Sequence, residues 1–299
     1  MSSRRAWERL LGMFDRNAIS CLVPTPQKNR SSVCIHVTSA VNDGTCFRTI
    51  KVVLLSYRRI QSLTISTPLI MCSQINESSP ESATDFFILN ACRAAADYVV
   101  TTGEILREEH DLNTDIQGQH AEDLAAWRRE LGKTEPQPTT VVMTNSSELD
   151  FEHPLFLQEG RKRMIYTSES TYATLQRRRI DPSIDFLVSN APSLQGLIHE
   201  LQNQHKDASP CTISVEAGPT TSSTVYAGGD IEDGDMGSPD LLFLSEYRNS
   251  LRSTQILMDK PALDANVLSS SMTLASTYDD PEEDFIFHLY VKGLDPAGR

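Results

Sequence analysis

No stretch of this chain approaches 18 consecutive apolar residues, so the sequence offers no candidate transmembrane helix and no membrane partner. Cysteine is sparse and scattered. The six (Cys21, Cys34, Cys46, Cys72, Cys92, Cys211) show neither C-x-x-C nor C-x-x-x-C spacing, which argues against a zinc site and a disulfide framework. Buried free thiols in a reducing, cytoplasmic compartment are the expectation. The G-x-G-x-x-G fingerprint and the P-loop are both missing, so neither common phosphate-cradling loop is present. Positive charge is also short: 27 basic against 40 acidic residues leave a net charge of −13. That field disfavours nucleic acid and anionic membrane surfaces, and an anionic ligand would need a local basic pocket working against it.

What remains is an ordinary globular composition, 39% hydrophobic over 299 residues, enough for a sizeable core. Residues 1–30 read as an N-terminal extension ending in a linker with Pro24, Pro26 and Asn29. Its start, with Arg4, Arg5 and Arg9 around Trp7, Leu10, Leu11 and Phe14, has the amphipathic look of an organelle presequence. Glu8 and Asp15 break the acid-poor pattern, so a frayed or surface-docked terminal helix is expected instead. Residues 31–293 read as one domain and 294–299 as a tail.

Along that domain, strand candidates are Ser32–Thr38 and Thr49–Ser56, with an Asn42-Asp43-Gly44 turn between them, and the apolar stretch Leu63–Met71. A helix is expected with Ser79 as N-cap, Pro80 in its first turn and a stripe of Ile88, Ala91, Cys92 and Ala95. A short strand, Asp97–Thr101, leads through Thr102-Gly103 into a helix over Glu104–Glu109. Further helices are expected at Ala121–Leu131 and from Pro192 to Leu201. Strands are expected at Thr139–Thr144, Arg163–Thr167, Phe186–Val188, Cys211–Val215, Leu241–Ser245 and Asp284–Val291, and Gly228–Asp240 as an acidic loop. Strands alternating with helices predict an α/β fold with a mixed, mostly parallel central sheet flanked by helices.

Two strand-to-helix turns carry glycine, Thr101-Thr-Gly-Glu and Glu216-Ala-Gly-Pro-Thr. Such turns at strand ends are where an open α/β sheet cradles a dinucleotide, because glycine lets a ligand approach the backbone. The order of segments around them resembles a known family. The run Ser79 to Gly103, then Glu104-Ile-Leu-Arg-Glu-Glu-His-Asp-Leu-Asn, then Cys211-Thr-Ile-Ser-Val-Glu-Ala-Gly-Pro-Thr are similar to the reductase half of the riboflavin-pathway deaminase/reductases. That family is a branch of the dihydrofolate-reductase-like fold. The deaminase half is not expected within these residues, since no H-x-E is partnered by a C-x-x-C.

The resemblance implies an NADPH-dependent reductase that transfers hydride to the ribosyl carbon of a phosphorylated aminopyrimidine, and it implies a homodimer. Glu216 and Asn113 would contact the substrate, a phosphorylated heterocycle. Gly218, Pro219, Thr220 and Thr221 would hold the cofactor pyrophosphate, and Thr102 and Gly103 would line the nicotinamide end. Glu108 falls where the family has a cofactor-contacting Asp. Asn145 and Ser146 would approach the adenosine half. Thr167 and Ser168, with Arg161 or Arg163 nearby, are candidates for the extra phosphate of NADPH.

Several positions depart from the family pattern: Glu104 stands for its threonine, His110 for its proline and Asp115 for a substrate-binding arginine. An Arg-to-Asp change reverses charge where a phosphate must bind. These departures motivate two alternatives, a reductase-like binding or scaffold module without catalysis, and a reductase with a different substrate.

Overall fold

The computed structural model describes residues 8–10, 12–14, 32–41, 55–57, 69–70, 81–204, 211–218, 221, 224, 240–247, 263–264 and 272–292. Strand β1 (Ser32–Val41) lies inside a sheet whose parallel part runs, in spatial order, β9 (Leu241–Tyr247), β1, β8 (Cys211–Val215), β4 (Tyr98–Thr102), β5 (Thr139–Met143), β6 (Arg163–Ser168) and β7 (Ile184–Ser189). Beyond β9, the antiparallel strands β12 (Phe285–Val291) and β11 (Thr273–Asp279) complete that side. Strand β2 (Leu55–Tyr57) pairs with the far end of β1, and β3 (Leu69–Ile70) forms a separate two-stranded ribbon with β10 (Leu263–Asp264). This is the mixed, mostly parallel α/β architecture that the alternating pattern predicts.

The apolar patterns explain which strands lie where. β4 and β8 are buried at every position, as strands with both faces covered are, and their polar positions hold only the small hydroxyl side chains of Thr101, Thr102, Thr212 and Ser214. β12 buries Phe285, Phe287 and Leu289 and leaves the alternate residues half-exposed. β11 escaped the sequence reading because Thr-Leu-Ala-Ser-Thr-Tyr-Asp has no apolar alternation. It pairs with β12 through a register shift between Leu274 and Ser276.

Helices cover both faces. On one, α1 (Ala83–Ala95) packs with α3 (Ala121–Glu130) against Leu241, Phe243, Phe285 and Phe287. Leu10, Met13 and Phe14 join that cluster, with the rings of Phe14 and Phe243 edge-to-face at 5.4 Å, so the N-terminal segment docks on the domain core. On the other face, α6 (Leu194–Gln204) lays Leu194, Leu197, Ile198 and Leu201 over Val100, Tyr166, Ile213 and Val215. A third cluster gathers Leu106 of α2 (Gly103–Glu108) and Leu155 and Phe156 of α4 (Pro154–Leu157) with Val142 and Ile165.

The start of α1 differs from expectation. Ser79 and Pro80 lie outside the described residues, and the N-cap is Ser82, whose hydroxyl accepts the amide of Asp85 at 2.9 Å. Glu283, in the turn between β11 and β12, adds a carboxylate that accepts the Ala83 amide at 2.8 Å and the Ser82 hydroxyl. Such a tertiary acceptor cannot be read from local sequence. At the other end, the Arg128 guanidinium donates to the carbonyls of Ala94 and Ala96 and closes the last turn. Burial lowers the pKa of Arg128 to about 10, with Asp97 and Glu135 opposing the shift.

Candidate functional site

The parallel register brings four strand ends to one edge: Thr102 is level with Met143, Met143 with Tyr166, and Val100 with Val215. The turns after β4, β5, β6 and β8 therefore line a single rim, which is where open α/β sheets bind ligands.

Thr102 ends β4 and caps α2, its hydroxyl accepting the Ile105 amide at 3.3 Å. Gly103 follows and is buried. A Cβ there would lie 2.8 Å from Thr144 Oγ1 and 3.0 Å from Thr144 Cβ, so the close approach of β5 to β4 requires glycine at this position. Thr144 in turn closes the next turn, accepting the Ser146 amide at 3.1 Å. The Asn145 carbonyl accepts Thr171 Oγ1 at 3.0 Å, and Ser146 Oγ accepts the Glu148 amide at 3.1 Å. Ser168 caps α5 (Glu169–Leu175), accepting the Thr171 amide at 3.3 Å. These residues form one hydroxyl-rich ridge from Thr102 to Thr171.

Gly218 differs from Gly103. Among the described residues, no heavy atom comes within 4 Å of a Cβ built on it, so none of their packing demands glycine here. Pro219 and Thr220 lie outside the described residues. The Thr221 carbonyl accepts Thr224 Oγ1 at 2.7 Å, and the Gln195 side-chain amide donates to the Thr224 carbonyl, tying this segment to α6.

Other expected site residues sit elsewhere. Thr167 is fully buried on the sheet face it shares with Ile165, so it faces the core and not the rim. Its hydroxyl has no partner among the described residues, like those of Thr101 and Ser214. Glu108 is exposed at the end of α2. The Asn113 side chain accepts the Asp115 amide at 2.8 Å, an Asx turn in the loop after α2.

Arg163 begins β6, about 16 Å from Ser168 at the usual strand rise, and Arg161 precedes the strand at that same end. Neither is free for a phosphate at the rim. Arg161 pairs with Asp115 at 2.9 Å, and Arg163 donates to the carbonyls of Leu155, Arg161 and Gln158. They do not join Thr167 and Ser168.

Glu216 is buried directly after β8. Arg93 of α1 meets it with a planar fork, Nε to Oε1 and Nη2 to Oε2, both at 2.7 Å, and sends Nη1 to the Asp115 carbonyl at 3.1 Å. Sequence reasoning gave Arg93 no role. The signal was present, since a lone arginine on the apolar stripe of a buried helix requires a buried acceptor. Arg107 and Thr144 were missed as well, because their relation to Gly103 depends on the pairing of β4 with β5.

No family model and no curated protein matches the chain. Solved structures do match. A pyrimidine reductase-like protein from Corynebacterium diphtheriae superposes with a TM-score of 0.55 at 15% identity, over 93% of this chain and 99% of that one. The chain shares the fold of that protein. RibD of Acinetobacter baumannii matches at a TM-score of 0.49 and 13% identity. A Thermotoga maritima diaminohydroxyphosphoribosylaminopyrimidine deaminase/5-amino-6-(5-phosphoribosylamino)uracil reductase matches at 0.46 and 10%. This chain covers 87% of its own length in both comparisons and spans 58% and 56% of those longer proteins. Among the described residues, no helix is long and apolar enough to cross a membrane.

Proposed function

We propose that the chain is a pyridine-dinucleotide-dependent reductase, with NADPH as its dinucleotide and a phosphorylated or ribosylated heterocycle as its substrate. The observation that carries this reading is the rim itself. Thr102-Gly103 and Glu216-Ala217-Gly218 end neighbouring parallel strands, and no described residue crowds the Cβ position of Gly218, where a ligand could approach the backbone. The shared fold with a protein called pyrimidine reductase-like supports the substrate class.

NADPH, when bound, supplies the hydride. The protein's share is orientation. The Gly218 turn would receive the pyrophosphate together with Pro219, Thr220 and Thr221, while Thr102 and Gly103 would line the nicotinamide end. Asn145, Ser146 and Ser168 would offer neutral donors along the ridge. Holding both reactants on a rigid strand edge removes the rotational freedom that otherwise opposes reaction.

A second reading, a binding module without catalysis, draws on Glu216 and Asn113. Both are engaged within the chain, one by Arg93 and the other by the Asp115 amide. Titration with NADPH and NADH, followed by nucleotide fluorescence, separates the two. Saturable micromolar NADPH binding that is lost in Gly218→Trp, with an unchanged melting curve, supports the reductase. Absence of binding by either nucleotide at millimolar concentration rejects it in favour of the module.

A further inference from the structure

A chain with a net charge of −13 repels a phosphorylated ligand unless a cation stands at the binding edge. The turns after β4, β5, β6 and β8 (residues 103–108, 144–148, 169–171 and 216–218) carry Glu104, Glu108, Glu148, Glu169 and Glu216, but Arg107 alone as a basic side chain. Glu216 is neutralised by Arg93.

Arg107 stands one helical turn after Gly103. Its Nη1 lies 3.7 Å from the point that a Cβ on Gly103 would occupy, and Thr144 Oγ1 lies 2.8 Å from that same point. One end of the guanidinium therefore lies over the β4–β5 junction. The other arginines near this sheet behave differently. Arg93 is held by Glu216, Arg128 by the carbonyls that end α1, Arg163 by three carbonyls, and Arg178 by the carbonyls of Ser147 and Leu149. Arg107 is exposed and makes no hydrogen bond or ion pair among the described residues. Among the described residues, no hydrogen bond or salt bridge holds it as a structural clamp.

We infer that Arg107 binds a phosphoryl group at the β4–β5 end of the rim and supplies the cationic contact that Asp115, paired with Arg161, does not. A guanidinium presents two parallel N–H donors that match two phosphate oxygens. The buried, hydrogen-bonded Thr144 beneath it fixes the floor of the subsite. Two ligands carry this chemistry, the pyrophosphate of a dinucleotide and the phosphate ester of a substrate. The choice between them rests on the reductase reading; the phosphoryl recognition does not.

The full-length chain and its Arg107→Ala, Arg107→Lys and Arg107→Glu variants are titrated with three probes: NADPH, inorganic pyrophosphate and ribose 5-phosphate. Arg107 is exposed, so the melting curves should coincide. Arg107→Ala should weaken binding by about tenfold or more, Arg107→Lys by less and Arg107→Glu by more. A loss confined to NADPH and pyrophosphate assigns the subsite to the dinucleotide. A loss confined to ribose 5-phosphate assigns it to the substrate. Unchanged affinity for all three probes in Arg107→Ala and Arg107→Glu overturns the inference. NADPH binding indifferent to Arg107, with no binding of the other probes, also overturns it while leaving the reductase standing. Arg107-dependent binding of pyrophosphate or ribose 5-phosphate without any NADPH binding keeps the inference and removes the reductase. A wild-type chain that binds none of the three overturns both.

Discussion

Arg93 and Glu216 meet through two parallel hydrogen bonds of 2.7 Å with neither side chain more than 1% exposed. Removing one member of such a pair leaves the other charge buried and uncompensated, whereas removing both can be nearly neutral. Arg93→Met should lower the unfolding free energy by about 3–5 kcal/mol. The double variant Arg93→Met/Glu216→Leu should recover much of that loss. Urea denaturation of the four proteins as a double-mutant cycle measures the coupling, and strictly additive losses would show that the pair does not act as a unit.

The two rim glycines should respond in opposite ways to the same substitution. Gly103→Ala drives a methyl to 2.8 Å from Thr144 Oγ1, and Thr144 is held by the Ser146 turn and cannot easily yield. A cost of about 1–3 kcal/mol is expected. Gly218→Ala meets no atom of the described residues within 4 Å, and its effect on stability should stay within about 0.5 kcal/mol. Thermal or urea unfolding of both variants checks the contrast, and equal destabilisation would contradict the packing difference.

Residues with a local signature were readable, and residues defined by a partner were not. The short β-branched runs of β4 and β8 and the apolar stripe of α6 needed only local pattern. Gly103 and Gly218 were recognised as strand-end glycines, yet their different surroundings depend on which strand lies next door. The N-cap of α1 was placed three residues early because Glu283, far along the chain, helps define the true start. Arg161 and Arg163 were grouped with Ser168 by nearness in sequence, but an extended strand sets its two ends on opposite edges of the sheet.

Burial pushes the Cys211 thiol up from its ordinary 9.0 to about 12, with the charge of Asp97 adding to the shift. The unfolded chain therefore loses this proton before the folded one does, and between those values the unfolded state binds fewer protons. The stabilisation is fully present below about pH 9 and declines as pH rises towards 12. Tyr98, raised from 10.0 to about 12 chiefly by burial, should steepen the fall above pH 10. Stability measured from pH 8 to 10.5 should drop less in Cys211→Ala than in the wild type. In the native protein, Cys211 and the buried Cys92 should stay unreactive to Ellman's reagent until urea unfolds the chain. Rapid labelling of either thiol at pH 8 without unfolding would contradict their burial.

The N-terminal segment is held by a bond that acid should break. Arg9 Nη1 donates to His120 Nε2 at 2.6 Å, and the same guanidinium lies 4.5 Å from the centroid of the Phe87 ring. The bond requires a lone pair on Nε2, hence a neutral imidazole. Burial lowers the His120 pKa below 6.5, the charge of Arg9 lowers it further, and Asp123 opposes both. Below pH 6.5 the unfolded chain gains a proton that the folded one resists, so this contribution is complete above that value and lost as pH falls. Hydrogen exchange at residues 8–14 should accelerate between pH 7.5 and 5.5, after correction for intrinsic rates, while α6 on the far face keeps its protection. His120→Gln keeps an acceptor but does not titrate, so it should abolish that difference. If the acceleration persists in His120→Gln, the acid sensitivity belongs to the carboxylates around the segment and not to the imidazole.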